Sequence, residues 1–398
     1  MSNLSLFGVL VCLVFASCRP SAQSQLGVGG NAPAPFATRD NTLHQERSPV
    51  GDFAFVVSDD ESAFEPIDGR AAAVPANRLV AQLPRISTRL RKALLQQKRL
   101  LARQDPSRVY LVGDRELTTA DFAEVIDGLL LHAQTGYRPS AIPVAHEGEV
   151  DFTAYFSPDL PASRTRTRRY RFPLLRSPDT DSLRRLTRAE INRLPDSIVA
   201  DRALAWVEHP LDVYLMQLQG SGFVRYRDGA REYLGFDRSN GHPLTPVARA
   251  VADSEFDVVH RGIKAIRTWM SDSLAVRGAV LEACENYVYF RRADTAPTGA
   301  GGVPLTPMIS VAADPMHYPL GAVLLAEMPN PTKPGIKETR ILLVQDVGAA
   351  IKGKGRLDLY TGVGHSALEL ARVSSHVGEV YMLVPRAQPE FAAVPQLL

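Results

Sequence analysis

Apolar positions along this chain fall into three rhythms, and the rhythm changes with position. The first is a continuous run. Residues 5–17, SLFGVLVCLVFAS, are too few to cross a bilayer and match the length of a signal-peptide core, although MSNL ahead of them carries no Lys or Arg. Residues 19–50 hold few large apolar side chains and many Ser, Gly, Pro and Gln, the composition of a disordered tether. A flexible coil of that length spans on the order of 30 Å. The second rhythm is helical. Ile86, Leu90, Leu94, Leu95, Leu100 and Leu101 with Arg and Lys between them predict a helix from Ile86 to Ala102 with a solvated basic face. Thr118 followed by Asp121 forms a capping pair, Phe122, Val125, Ile126, Leu129 and Leu130 make a stripe, and Gly136 stops it.

The third rhythm is that of short strands. VDFTAYFS from Val150 and RYRFPLL open it, with Pro158 as a stop. Arg164, Arg166, Arg168, Arg169 and Arg171 alternate with Thr and predict the charged face of an edge strand. Leu186 to Leu194 reads as a short helix and Asp212 to Leu218 as a strand. The strand breaks at Gln219-Gly220-Ser221-Gly222 and restarts as FVRYRDG. LGFDRSNGH (234–242) reads as a loop. Val259 to Met270 and Ser273 to Ala283 read as helical, and NYVYF (286–290) as a strand. Ala296 to Val303 is a Pro/Gly-rich crossing. Beyond it, PMISVAADPMHYPLGAVLLAEMP, RILLVQDVG, DLYTGVG and GEVYMLVPR are short strands between turns, as in a small barrel. The breaks near 160 and 300 predict one domain interrupted by another.

Composition narrows the function classes. The 398 residues are 45% hydrophobic and carry a net charge of +2, enough apolar material for a sizeable core and too even a balance to indicate nucleic acid. Of three cysteines, Cys12 and Cys18 lie in or beside the N-terminal apolar run. Cys284 is left alone, a small buried hydrophobe with no internal disulfide partner. The nine histidines form no HExxH or paired short spacing, and no GxxxxGK[ST] loop occurs, so no metal and no cofactor is expected. Phe15-Ala16-Ser17-Cys18 resembles a bacterial lipobox, which implies lipidation at Cys18; an ordinary secretory signal with an incidental cysteine is the alternative. Arg19 follows the cysteine where Asp favours inner-membrane retention, so the resemblance implies the outer membrane, facing the periplasm.

Candidate chemistry lies in Arg340–Gly364, where Asp346 and Asp358 sit at turn-like breaks at the ends of strands. In QGSG, two glycines around a Ser permit close backbone approach, and Gln219 and Ser221 offer neutral hydrogen-bonding groups suited to sugar hydroxyls; a tight turn would need the same glycines. FTAYFSPDL, VYLMQLQGSGFVRYRDG, LGFDRSNGH, IRTWM and NYVYF, in this order from about 150 to 385, resemble the membrane-bound lytic murein transglycosylase A family. The C-terminal part resembles its 3D domain, whose three aspartates would be Asp314, Asp346 and Asp358. Ala154 and Ala349 stand where that family has glycine, as does Leu357 in many members; no carboxylate is missing.

The resemblance implies a mainly β fold with some α. A double-psi β-barrel (51–159 and 297–390, with flanking helices and the 3D domain at about 303–386) is interrupted by an inserted β-barrel (160–296) that binds substrate, with a groove between them. Ahead lie the signal peptide (1–17) and lipidated tether (18–50). The implied reaction cleaves the β-1,4 bond between N-acetylmuramic acid and N-acetylglucosamine in peptidoglycan glycan strands. The C6 hydroxyl of the muramoyl sugar is the nucleophile and a 1,6-anhydro ring forms. An intramolecular nucleophile has a high effective molarity, so one carboxyl can serve as acid and then base. The motif implies Asp358 for that role. Asp358 must start protonated, so burial or a neighbouring carboxylate has to raise it from the ordinary value near 4. Asp346 is either that neighbour or a structural acceptor of backbone N–H bonds, with the structural role favoured. Asp314 precedes a proline and reads as turn-forming.

Thr153, Tyr155, Gln219, Gly220, Ser221 and Gly222 are expected to line the groove, with Tyr155 stacking on a sugar face. Lys352 is either solvated or meets substrate carboxylates. Tyr360 alternates with Asp358 and either faces the groove or fills the barrel. The expected partners are glycan strands, the membrane through the lipid anchor, and other cell-wall enzymes. A non-catalytic wall-binding protein and a two-carboxylate hydrolase are the competing readings.

Overall fold

A computed structural model of the chain describes residues 73–145, 149–247, 251, 263–274, 278–293, 296–330, 333 and 335–386. The signal run, Cys18, the tether and Val259–Gly262 lie outside them. Six strands form a closed barrel: β1 (Glu149–Ser157), β2 (Ser310–Ala312), β3 (Val323–Pro329), β4 (Lys337–Asp346), β5 (Arg356–Val363) and β6 (His376–Val384). They pair in the order β3-β4-β2-β5-β1-β6, and β6 returns to β3. β2 with β4 and β5 with β1 are parallel; the other neighbours are antiparallel. A short strand, Ser140–Pro143, adds to the outside of β6.

The barrel strands read as near-continuous apolar runs because both faces are covered. Leu324, Leu325, Leu342, Leu343, Tyr381 and Met382 are all fully buried. The outer cover is helical. Thr88–Leu101 and Thr119–Thr135 contribute Leu94, Leu100, Phe122, Val125 and Ile126 to the same core. Each buried Leu or Phe contributes about 1.5–3 kcal/mol by leaving water. Ser87 caps the first helix; the second has the full Thr118–Asp121 capping box and ends on Gly136 in the left-handed conformation. Gln97 locks the first helix down, its Nε2 donating to Ala322 O and Val344 O. Gly321 lets that helix close on the barrel, since a Cβ there would lie 2.1 Å from Leu101 Cδ2.

The chain leaves the barrel after Ser157 and rejoins it at Ser310. Between them, Val288–Ala293, Arg231–Ser239, Gly222–Arg225, Asp159–Ser163, Ala203–Val207 and Phe172–Leu175 pair in that order as a six-stranded sheet. The two end strands approach each other, but no ladder joins them among the described residues, so this sheet is not closed in the way the barrel is.

Several expectations are corrected. Asp212–Leu218 is not a strand but lies in the helix Pro210–Gln219. His209 caps it, Pro210 takes the first turn, and Gly220 ends it in the left-handed conformation. It is apolar on two sides. Val213 and Met216 enter one core, Leu211 and Tyr214 another, which erases the one-sided helical stripe. LGFDRS belongs to the strand Arg231–Ser239, with the loop starting only at Asn240. The arginine cluster is a loop between strands, where Arg164, Arg166 and Arg169 pair with Asp228, Asp196 and Glu208. Ile263–Asp272 is helical, and Gly278–Ala283 is a short 3-10 turn. Gly364–Arg372 is a helix where only strands were expected. Cys284 is fully buried in an apolar cluster.

Candidate active site

Strand register brings the two C-terminal aspartates together. Ala312 of β2 pairs with Asp346 of β4 on one side and Asp358 of β5 on the other. Their backbones are therefore two strand spacings apart, about 10 Å. Asp346 ends its strand, whereas Asp358 lies inside β5 and not at a strand end as the turn-like sequence implied. Alternation puts Arg356, Asp358 and Tyr360 on one face of β5. β1 runs parallel beside it, with Thr153 opposite Asp358 and Tyr155 opposite Tyr360.

Asp358 has a single hydrogen bond among the described residues: the Thr153 hydroxyl donates to Oδ1 at 2.9 Å. Arg356 Nη2 donates to the same Thr153 oxygen at 3.5 Å. Burial pushes the Asp358 carboxyl up to about 6. Thr153 and the Arg356 cation pull against that rise, and the negative charge of Asp346 adds to it. Asp346 is held differently. Tyr155 OH donates to Oδ2 at 2.8 Å, and the backbone N–H groups of Ala300 and Val347 donate to Oδ1 at 2.8 and 2.9 Å. Burial also raises this carboxyl, against those three hydrogen bonds. Tyr155 is driven well above the ordinary phenol value, by burial first and then by Asp346. Its ring lies 5.2 Å from that of Tyr360, tilted by 51°. Tyr360 OH meets Ser157 Oγ at 3.1 Å, and burial pushes the phenol to about 12.

Asp314 stands outside this network. It accepts from Met316 N in its own turn and from Gly353 N at 2.8 Å, which ties down the loop between β4 and β5. The QGSG segment meets the barrel at the end of β1. Gln219 Oε1 accepts from Phe156 N at 3.0 Å. Gly220 is the helix stop with φ 77, and at Gly222 a Cβ would sit 3.0 Å from Pro158 O. The Ser221 hydroxyl makes no hydrogen bond and exposed Lys352 no ion pair, among the described residues. The register and hydrogen bonds thus unite Thr153, Tyr155, Asp346, Asp358 and Tyr360, and leave Lys352 and Ser221 at the periphery. Three participants were not anticipated: Arg356, Ser157 and the Ala300 backbone. Arg356 was readable, since it lies two residues before Asp358 on a strand. Nothing in the sequence marks a backbone amide 46 residues from its acceptor.

The same helix that delivers Gln219 is anchored on its far side by Gln217. Gln217 Nε2 donates to Val288 O, and its Oε1 accepts from the buried guanidinium of Arg188. Arg188 has no carboxylate partner among the described residues. The carbonyls of Cys284 and Asn286 solvate it, and it lies over the rings of Tyr214 and Tyr287. A carboxyl titrating near 6 holds its proton in part of the molecules near neutrality and can also accept one, the property needed of an acid that later serves as base. No group of three His, Cys, Asp or Glu side chains able to hold a metal occurs among the described residues.

Comparison with known proteins agrees with this architecture. Residues 151–291 match the MltA specific insert domain, and residues 309–384 match the 3D domain. Membrane-bound lytic murein transglycosylase A of Escherichia coli is 34% identical over 246 residues, covering 59% of this chain and 66% of its own length. The Vibrio cholerae protein of the same name is 33% identical over 249 residues, with 60% and 66% covered. The chain thus spans 66% of the length of these curated relatives. The crystal structure of Escherichia coli MltA with bound chitohexaose superposes with a TM-score of 0.59 at 26% identity, covering 74% of this chain and 90% of that one. MltA from Neisseria gonorrhoeae, at 24% identity, shares the fold with a TM-score of 0.61 over 75% of this chain and 89% of its own. With the insert domain and the 3D domain in sequence on the matching fold, the chain belongs to the membrane-bound lytic murein transglycosylase A family.

Proposed function

We propose that this chain is a lytic transglycosylase of peptidoglycan. It cleaves the β-1,4 bond between N-acetylmuramic acid and N-acetylglucosamine and leaves a 1,6-anhydromuramoyl end. The observation that carries this reading is Asp358. Its carboxyl lies in the 3D domain, is raised to about 6 by burial, and has one oxygen uncommitted among the described residues. In the proposed reaction Asp358 protonates the leaving glycosidic oxygen. The muramoyl C6 hydroxyl attacks the anomeric carbon, and the carboxylate then takes the hydroxyl proton. One carboxyl suffices because the nucleophile is intramolecular.

Glycan strands would run in a groove between barrel and insert, where Gln219 meets Phe156 and Gly222 meets Pro158. The bound chitohexaose of the Escherichia coli relative supports a glycan as ligand. Ser221 and Lys352, whose side-chain polar groups have no partner among the described residues, are the proposed sugar contacts. Thr153, Tyr155, Gln219 and Tyr360 spend theirs on holding the site. In Asp346 three donors occupy the carboxylate, which argues for support of Asp358 and against a second carboxylate that activates water. The two parallel pairs within six closed strands support a double-psi path for the barrel. Lipidation at Cys18 with outer-membrane anchoring, and association with other cell-wall enzymes, complete the proposal. The membrane-bound relatives support the anchor.

The test is the product profile. Digested sacculi should release 1,6-anhydromuropeptides with the wild type and none with Asp358→Asn, both read by mass spectrometry. Reducing-end products alone would assign a hydrolase. Sacculus binding without soluble products would assign a wall-binding protein.

A further inference from the structure

Thr153 sits between a cation and the candidate acid, and its hydroxyl can face only one way. Arg356 Nη2 carries hydrogens and no acceptor lone pair, so at 3.5 Å it donates into Thr153 Oγ1. An oxygen that accepts from a guanidinium is a poorer acceptor for a second proton and a stronger donor. The Thr153 hydrogen therefore points to Asp358 Oδ1, 2.9 Å away. Arg356 makes no ion pair among the described residues, so no carboxylate partner draws its charge away from this chain of contacts. An oxygen that accepts a hydroxyl hydrogen in this way does not also carry the acid proton.

We propose that Thr153 and Arg356 are positioning residues that keep the acid proton of Asp358 on Oδ2, the oxygen with no partner among the described residues. This inference rests on the reading of Asp358 as the acid. Without the pair, the proton distributes over both oxygens and a carboxyl free to turn. The cost then falls on the proton-transfer step and not on substrate binding. The groups that face Asp358 are Arg356 on its own strand, Thr153 and Tyr155 on β1, Asp346 on β4, and Tyr360 two residues on. Of these, Thr153 and Arg356 are the two that favour the ionised form.

The experiment compares kcat, KM and the pH profile of peptidoglycan cleavage for wild type, Thr153→Val, Thr153→Ser and Arg356→Gln. The Asp358 carboxyl is titrated in parallel by carbon-13 NMR. Thr153→Val should lower kcat by roughly tenfold to 100-fold, the cost of a misplaced reacting group. KM should stay within about twofold. The carboxyl titration and the alkaline limb should both move to higher pH, because a hydrogen bond to the carboxylate has been lost. Thr153→Ser should restore both. Arg356→Gln should move the titration in the same direction and keeps the test open if Thr153→Val does not fold. An unshifted titration in the folded variants, or a kcat unchanged in Thr153→Val, overturns the proposal. A titration that shifts as expected in a protein releasing no soluble product leaves the Thr153 geometry standing and rejects the enzymatic reading instead.

Discussion

The two aspartates on either side of Ala312 are chemically identical, are both part-buried on the barrel, and differ in what the chain gives them. Asp346 receives three hydrogen bonds, two of them from backbone N–H groups that belong to its own loop and to the crossing at Ala300. Asp358 receives one among the described residues, from a side chain. Burial pushes both carboxyls up. At Asp346 the donors satisfy the charge where it stands. At Asp358 most of the cost of burying the charge remains, which is why that carboxyl reaches about 6. A fully satisfied buried carboxylate stiffens a fold. A carboxyl left with a free oxygen at a raised pKa is poised for proton transfer, and the molecule holds one of each side by side.

The comparison breaks most sharply at Asp358. Asp358→Asn should lower turnover by about 10²–10⁴-fold or more, measured as anhydromuropeptide release. It should also remove a pH-dependent loss of stability. The folded carboxyl titrates near 6 against an unperturbed 3.8, so the stability due to the protonated form is complete below about pH 4 and is lost as pH rises through 6. At about 1.4 kcal/mol per pH unit, that loss is of the order of 1–3 kcal/mol. Melting curves of Asp358→Asn should lack it, leaving the variant more stable than wild type at pH 7. A variant that melts lower at pH 7 would contradict the raised carboxyl.

Asp346 predicts the opposite balance. Asp346→Ala strands two backbone N–H groups and the Tyr155 hydroxyl in a part-buried site, at a cost of roughly 2–5 kcal/mol in denaturant unfolding. Activity should fall less than in Asp358→Asn. Equal loss of activity in a stable Asp346→Ala protein would place Asp346 in the chemistry.

The smallest effect belongs to Tyr155→Phe. It removes one of three donors, costs about 1 kcal/mol, and should raise the Asp346 titration while leaving cleavage within a few-fold. A large loss of turnover there would mean that Tyr155 reaches substrate.

What could be read in advance follows from locality. The helix Thr119–Thr135 announced itself because cap, stripe and stop lie within or beside its own residues, and Thr88–Leu101 did so by its apolar stripe. Gly364–Arg372 did not, because Val363 offers no capping side chain and its first turn has no acidic residue. Pro210–Gln219 was hidden by being apolar toward two cores at once. At the site, the three aspartates were legible through the family pattern. The same pattern favours a structural role for Asp346 and an acidic one for Asp358; the donors that set the two carboxyls apart, Ala300 N and the Thr153 hydroxyl, were not readable, because they lie far from either aspartate in sequence.

The topology that makes the site also times its appearance. The hydrogen bond between Thr153 and Asp358 spans 205 residues, and β6, which closes the barrel against both β1 and β3, is the last of the six barrel strands to be synthesised. Contacts of such sequence separation form late, after the entropy of closing a long loop has been met. Until then Asp358 is an ordinary solvated carboxylate near 4. The proton-bearing form near neutrality is a property of the closed barrel alone, so a chain that has not finished folding lacks the raised carboxyl on which the proposed chemistry depends.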